Sequence, residues 1–191
     1  MNLNEIIEHR RNVKPKFFTG ETIPDSTVST LLSSANWAPT HGFTEPWRFV
    51  VFSGDSINSL ASFQSELYKS SISKELYKDL KYEKLKINPL LASHIIALVV
   101  EKSVGTKISL VEEIVATSCA VQNILLSAST QNIAVHWTTG GMTYMNEMKT
   151  FLGFTEKDQV LGFLYLGKSP EHIKKEGRRL STIENKVIWR K

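Results

Sequence analysis

The sequence contains a single cysteine, Cys119, among 191 residues. One thiol cannot form an intrachain disulfide, so a disulfide-stapled scaffold is excluded. The residues around Cys119 are small and apolar, which favours a buried, inert thiol over a catalytic nucleophile. Since nothing in the chain requires oxidising conditions, we expect a cytoplasmic protein.

Long apolar runs are also missing. The longest clearly apolar stretch, residues 95–100, is far too short to span a bilayer. The first residues show no basic region followed by an apolar one, so we expect no secretory signal. With 41% hydrophobic and 22% charged residues, the composition predicts a soluble single domain over residues 1–191 with no membrane partner.

The sequence lacks the short motifs that bind phosphate or metal. It has no G-x-G-x-x-G or G-x-x-x-x-G-K-[ST] loop, and none of its five histidines forms a pair with metal-ligand spacing. The net charge of +4 and the pI of about 9.1 suit either nucleic acid or a phosphorylated small molecule. Because the basic residues are dispersed, and those of residues 69–86 alternate with glutamates, we expect no nucleic-acid partner.

Hydrophobic periodicity predicts a chain that mixes helices and strands. The predicted helices cover residues 3–10, 25–37, 110–131 and 144–152, with two more between 56 and 86, and the predicted strands cover 48–52, 94–100, 133–137 and 159–166. Helix 110–131 is apolar on more than one face, which is typical of a core or subunit-interface helix. The charged stretch 56–90 is interpreted either as a helical lid or as ordinary surface helices.

Two prolines, Pro39 and Pro46, bracket a polar loop that leads directly into a strand. Pro39 disfavours helix at the preceding residue, and Pro46 fits the edge position at which a strand begins. A rigid loop between two elements is a common place for a functional site. An ordinary surface turn remains the alternative interpretation of this loop.

Three further features have both a functional and a plain structural interpretation. Arg10 and Arg11 at a helix end either favour the helix dipole or bind a phosphate. The strand that ends in Thr138-Thr139-Gly140-Gly141 either forms a turn or lets backbone N–H groups approach a ligand. The polar, Trp-bearing segment 169–191 resembles an arm that docks on another surface, for which a second copy of the chain is a natural candidate.

Taken in order, these motifs resemble the nitroreductase family of FMN-dependent oxidoreductases, and most of all its short, YdjA-like branch. The motifs are a helix ending in Arg-Arg, the Ala-Pro-Thr-His-x-x-x-Glu-Pro-Trp-Arg-Phe loop, Trp137-Thr-Thr-Gly-Gly, Gly162-Phe-Leu-Tyr-Leu-Gly, and Arg178-Arg179-Leu180. Each is loose, but their order and spacing together are specific. The resemblance covers essentially the whole chain.

The resemblance implies an α+β fold with a central, mainly antiparallel sheet flanked by helices. It implies an intertwined homodimer in which a C-terminal arm embraces the partner and each FMN site uses both chains. FMN would take a hydride from NADH or NADPH and reduce a nitroaromatic, quinone or related small acceptor, so the chain needs no catalytic side chain of its own. Another flavin-dependent reduction, or a flavin sensor or store with little turnover, is the alternative.

The resemblance also implies which residues bind the cofactor. They are Arg10, Arg11, Asn12, Trp37, His41, Trp137, Thr138, Thr139, Gly140, Arg178 and Arg179. His41 would come from the partner subunit, and one of the two tail arginines would bind phosphate. Three of these cofactor-binding residues depart from the family pattern: Asn12 replaces Ser, while Trp37 and Thr138 each replace Arg.

Overall fold

The computed structural model describes residues 2–170 and 177–191. Within these residues the helices are α1 (Leu3–His9), α2 (Asp25–Ala35), α3 (Asp55–Ser71), α4 (Asp79–Ile87), α5 (Leu110–Thr130) and α6 (Asn146–Phe151). The strands are β1 (Trp47–Ser53), β2 (His94–Val100), β3 (Ala134–Thr138) and β4 (Gln159–Gly167). The predicted elements are therefore present, with boundaries that differ by a few residues.

The four strands form one sheet in the order β1-β2-β4-β3, and every neighbouring pair is antiparallel. All seven residues of β2 are buried, because this central strand is covered on both faces. Its continuous apolar sequence reflects that position. The predicted α+β class with a mainly antiparallel sheet is confirmed.

Helices cover both faces of the sheet. One core lies between the sheet and the pair α2 and α5, and it includes Leu31, Ile124 and Leu164. The other lies beneath α3 and α6, and it includes Leu60, Met148 and Phe163. β3 is an edge strand, so its outer side is accessible to the segment that follows α1.

Helix α5 begins with a capping box, in which the Ser109 side chain accepts from the Glu112 N–H and the Glu112 side chain accepts from the Ser109 N–H. By length and composition alone, α5 is the one helix in the described part of the chain that could cross a membrane. It packs against α2 and the sheet and buries residues such as Ala120, Val121 and Ile124.

The charged region after β1 forms two helices. Helix α3 buries Leu60 and Tyr68 among other side chains, whereas α4 buries none. The segment between them turns back at Lys78, whose N–H donates to the Tyr68 hydroxyl at 3.0 Å. Helix α3 is thus part of the core, and a lid function for residues 56–90 stays a prediction that concerns α4.

The arm predicted for residues 169–191 is described only in part, because residues 171–176 lie outside the described residues. Residues 177–191 contain one 3-10 turn, Glu184–Lys186. Large apolar side chains in this segment are exposed, with Leu180 at 91% and Trp189 at 82%. Docking of the arm on a second copy stays a prediction.

Candidate functional site

The segment after α1 runs along the outer edge of β3. Asn12 and Val135 form a parallel bridge, and the Val13 N–H donates to the Val135 carbonyl oxygen at 2.9 Å. The Asn12 side-chain oxygen accepts the Trp137 N–H at 2.8 Å. Two motifs far apart in sequence, Arg10-Arg11-Asn12 and Trp137-Thr138-Thr139, are thereby brought together.

Three arginines converge beside this edge. Arg10 caps the C-terminus of α1, and Arg11 places its guanidinium against the tail at Gly177, where a Cβ would overlap it. Burial of the Arg10 guanidinium, together with the positive charges of Arg11 and Arg179, lowers the pKa of Arg10. Such a concentration of positive charge is unfavourable by itself and favours a bound anion. Of the two tail arginines, Arg179 is thus the one near Arg10.

A cavity of about 220 Å³ opens next to these arginines. Its walls come from the end of α1, the C-terminal half of α5, the start of β3 and the chain after β4, and they include Arg10, Arg11, Ser129, Asn132 and Ser169. Two cations and several small polar side chains in one concave site can hold a phosphate group. Arg10, the C-cap of α1, and Arg11, the next residue, thus share one concave site, and their role in binding phosphate stays a prediction.

The C-terminal end of β3 forms a turn that depends on glycine. Gly140 and Gly141 have φ values of +87° and +58°, which only glycine adopts freely. A Cβ at either position would meet no atom within 4 Å, so backbone conformation and not space requires these glycines. The turn leaves Thr139 exposed and Thr138 half-buried.

Gly162 on the neighbouring strand β4 permits a close approach to this end of β3. Its φ is +138°, and a Cβ there would lie 2.6 Å from the Thr138 carbonyl oxygen and 2.7 Å from the Trp137 indole nitrogen. That indole nitrogen is buried and has no hydrogen-bond partner among the described residues. A buried N–H without a partner costs free energy, and an acceptor on a bound group would satisfy it.

A second cavity, of about 290 Å³, lies on the opposite face of the sheet below the same turn. The turn contributes Thr138, Thr139, Gly140, Gly141, Met142 and Thr143 to its lining, β4 contributes Phe163 and Tyr165, and Met148 comes from α6. Gln64 of α3 and Lys81 of α4 complete the polar lining. The predicted cofactor residues Thr138, Thr139 and Gly140 therefore line this second cavity.

Sequence reasoning missed Gln64 and Lys81. Lys81 lies in a stretch of alternating charges that is typical of a solvated helix face, although its Nζ is 4.8 Å from the centre of the Tyr68 ring. Gln64 could have been found from the helical spacing, because it lies four residues from both Leu60 and Tyr68 on the mainly apolar buried face of α3. Lys81 supplies a cation to the cavity that Thr138 also lines, and Thr138 is the position at which the family resemblance predicts an arginine.

Two titratable groups face each other across β3 and β4. Burial raises the pKa of Tyr165 to about 12, so its hydroxyl stays protonated and can donate a hydrogen bond. Burial and the nearby charge of Lys14 lower the pKa of His136, which keeps this imidazole neutral at pH 7. The His136 and Tyr165 rings meet edge to face with centroids 6.2 Å apart. The two rings themselves therefore add no charge to this part of the sheet.

Trp37 and His41 lie apart from the other predicted site residues. In the described part of the chain, neither lines a cavity beside β3, and Trp37 is 89% exposed. His41 pairs with Glu112 at 2.7 Å, at the N-terminus of α5. The first cavity meets α5 at Leu125, thirteen residues further on, which corresponds to about 20 Å along the helix. One chain alone does not bring His41 to the arginine cluster.

Arg178 is exposed, and its carbonyl oxygen accepts from the Arg179 guanidinium at 3.1 Å. Across residues 2–170 and 177–191, no group of three or more His, Cys, Asp or Glu side chains could hold a metal ion. The cationic and hydroxylated lining around β3 suits a phosphorylated organic cofactor, since phosphate prefers arginine and backbone N–H donors.

The family model described as "Nitroreductase family" matches residues 7–168. The protein YfhC of Bacillus subtilis, provisionally named an NAD(P)H nitroreductase, is 27% identical over 174 residues, which is 88% of this chain and 85% of YfhC.

Solved structures show the same fold. A nitroreductase-like family protein from Bacillus cereus has a TM-score of 0.81 at 23% identity, over 99% of this chain and 96% of that chain. The FMN-dependent nitroreductase NfnB from Mycobacterium smegmatis, solved in complex with NADPH, has a TM-score of 0.74 at 15% identity, over 98% and 97% of the two chains. These likenesses extend to the whole antiparallel sheet and its helices.

Proposed function

Because this chain belongs to the nitroreductase family, we propose that it is an FMN-dependent oxidoreductase. It takes a hydride from NADH or NADPH and reduces a nitroaromatic, quinone or related small acceptor. The placement of Arg10 and Arg11 in one cavity beside β3, with the positive charge of Arg179 nearby, carries the proposal. A flavin supplies the redox chemistry when it is bound, and the chain supplies binding, orientation and electrostatics.

The residues around β3 have separate parts in holding the cofactor. Arg10, Arg11 and Arg179 bind the phosphate through charge-assisted hydrogen bonds. Asn12 acts indirectly, because its side-chain oxygen is already bonded to the Trp137 N–H and fixes the edge of β3. Thr138, Thr139 and Gly140 offer hydroxyl and backbone groups at the other end of the strand, beside the cavity that Lys81 lines.

We propose further that the working form is a homodimer. The separation of His41 from the arginine cluster supports this, since only a second copy could place a His41 beside the other predicted FMN-binding residues. Exposed apolar side chains on α5, such as Val111 at 67% and Val115 at 57%, offer a surface for such a contact. Contact with a second copy would also bury the exposed Leu180 and Trp189 side chains of the tail.

The test is an anaerobic visible spectrum of the purified protein, recorded before and after NADH or NADPH is added. A yellow protein that bleaches with one of the nucleotides, and regains its colour with a quinone, supports the proposal. A yellow protein that does not bleach indicates a flavin store or sensor. A protein that stays colourless after incubation with FMN overturns the proposal.

A further inference from the structure

The loop that carries His41 is held in a strained conformation. Phe43 and Glu45 have φ values of +54° and +41°, in the left-handed region that residues other than glycine seldom adopt. Strain of this kind persists only where the surrounding contacts over-determine it, and it is often found at functional sites. His41 nevertheless lies at the surface, with 68% of its side chain exposed.

Contacts on both sides hold the loop. Arg48 donates to the Glu45 carbonyl oxygen at 2.8 Å and pairs with Glu101 at 2.6 Å. The Glu45 N–H donates to the Thr40 hydroxyl at 3.2 Å. Gly42 packs so tightly on Ile108 that a Cβ there would lie 2.7 Å from the Ile108 side chain.

The segment that contains Ile108 is itself fixed by a buried ion pair. Lys102 Nζ lies 3.0 Å from Glu113 Oε2 and donates to the Ile108 carbonyl oxygen at 2.9 Å. Glu113 is completely buried, so this pair ties the segment to the first turn of α5. The loop and the start of α5 therefore form one rigid support beneath His41.

Glu112 joins the two parts of this support. Its Oε2 accepts the Ser109 N–H at 2.8 Å and the Ser109 hydroxyl at 2.9 Å. Its Oε1 lies 2.7 Å from His41 Nδ1. The hydrogen bonds from Ser109 and His41 lower the pKa of Glu112 to about 2, so the carboxylate is ionised at neutral pH and can only accept.

We propose that Glu112 is a positioning residue that holds the His41 imidazole in its Nδ1–H tautomer and directs Nε2 outward as an acceptor. An ionised carboxylate beside Nδ1 requires a proton on Nδ1, and a ring that holds only that one proton offers a lone pair on Nε2. This inference rests on the proposed function, in which His41 reaches an O–H or N–H group of the flavin bound to a second copy.

The first test uses the cofactor-free protein. Nitrogen-15 NMR of the imidazole rings at mildly alkaline pH reports the tautomer of each histidine, and His41→Ala identifies the His41 signals. The wild-type protein should show a protonated Nδ1. In Glu112→Gln, the amide oxygen continues to accept from Ser109 and caps α5, so the amide NH₂ faces Nδ1 and the proton moves to Nε2. Glu147→Gln, a matched change in the first turn of α6, should change nothing.

The second test measures the dissociation constant for FMN by fluorescence. Glu112→Gln and His41→Ala should both weaken binding, by about fivefold, the loss expected for one hydrogen bond. Glu147→Gln should match the wild type. Unchanged circular dichroism of Glu112→Gln confirms that the variant is folded.

Two results would overturn the inference: an Nδ1 that is unprotonated in the wild type, or an inverted tautomer with unchanged FMN affinity. Failure of the proposed function looks different, because the wild-type protein would then bind no FMN while the NMR spectra still report the tautomer. In that case the role of His41 toward flavin is lost, and only the Glu112–His41 geometry stands.

Discussion

The Trp137 N–H donates to the side-chain oxygen of Asn12 across 2.8 Å, although the two residues are 125 positions apart in sequence. The bond occupies the free edge of β3, where a strand otherwise presents unpaired backbone groups. Asn12 thus combines two tasks: it closes the edge of the sheet, and it fixes the segment that carries Arg10 and Arg11. A serine, the residue that the family resemblance predicts at this position, would have a shorter reach.

Two substitutions at Asn12 separate the effect of losing its side-chain acceptor from the effect of adding a negative charge. Asn12→Ala removes the acceptor for the Trp137 N–H and should lower the free energy of unfolding by about 1 kcal/mol. Asn12→Asp keeps an acceptor and should be at least as stable as the wild type, but it adds a negative charge near the arginines and should weaken FMN binding. Urea denaturation and FMN titration measure the two effects. Equal destabilisation by Ala and Asp would contradict this role.

The arginine cluster should recognise the phosphate of FMN and not its ring. Arg10→Ala and Arg179→Ala should each raise the dissociation constant for FMN by roughly 10-fold to 100-fold, since charge-assisted hydrogen bonds are lost. Riboflavin lacks the phosphate, so its affinity should not change. Isothermal titration calorimetry with both ligands measures the difference.

Arg178→Ala is the matched control for the arginine experiment, because it removes a neighbouring and exposed tail cation. It should leave FMN affinity nearly unchanged. If Arg178→Ala weakens FMN binding as much as Arg179→Ala, the assignment of Arg179 to the phosphate is wrong. Cofactor-free Arg179→Ala should be at least as stable as the wild type, because repulsion with Arg10 is relieved.

Gly162→Ala should disturb the end of β3. A methyl group there would overlap the Thr138 carbonyl oxygen and the Trp137 ring, and the φ of +138° is unfavourable for alanine. We expect a loss of about 2–4 kcal/mol in the free energy of unfolding. Gly153→Ala, at a φ of +84° with no atom within 4 Å, shows the backbone effect alone and should cost about 1 kcal/mol. Equal losses at both positions would argue against a close approach at Gly162.

The Glu112 carboxylate should make stability depend on pH in the acid range. Its pKa in the folded chain is lowered from 4.5 to about 2. The stabilisation of the folded state by the ionised carboxylate is therefore complete above pH about 4.5 and is lost as the pH falls toward about 2. Wild type should therefore lose its stability advantage over Glu112→Gln across this range. Thermal unfolding at several pH values measures the difference. A constant difference down to the acid end would contradict the lowered pKa, and added salt should reduce the effect at this exposed site.

The fold could be predicted from sequence because its elements carry strong local signals. The continuous apolar run of β2 and the multi-faced apolar pattern of α5 follow directly from burial between two layers. Two helices were predicted within residues 56–86, but their ends could not be placed: α3 ends at Ser71, α4 begins at Asp79, and the Lys78 N–H between them donates to the Tyr68 hydroxyl. Helix periodicity contains no information about such a contact.

Those candidate site residues that belong to short sequence motifs could be proposed from the sequence. Arg10-Arg11-Asn12 and Trp137-Thr138-Thr139 were found from the sequence, and the structure brings them together. Glu112 and Lys81 were missed for different physical reasons. Ser109-x-x-Glu112 is an ordinary capping box until tertiary structure brings His41 to it, and Lys81 has the sequence context of a solvated helix.

Glu112 and Leu125 lie about 20 Å apart along α5, and this separation predicts that two different variant subunits can complement each other. Under the proposed dimer, each cofactor site draws Arg10 from one subunit and His41 from the other. A subunit carrying Arg10→Ala and a subunit carrying His41→Ala would then complement each other when they assemble together. Their mixed pair contains one site with both defects and one site that is fully wild type, although neither variant alone can form an intact site.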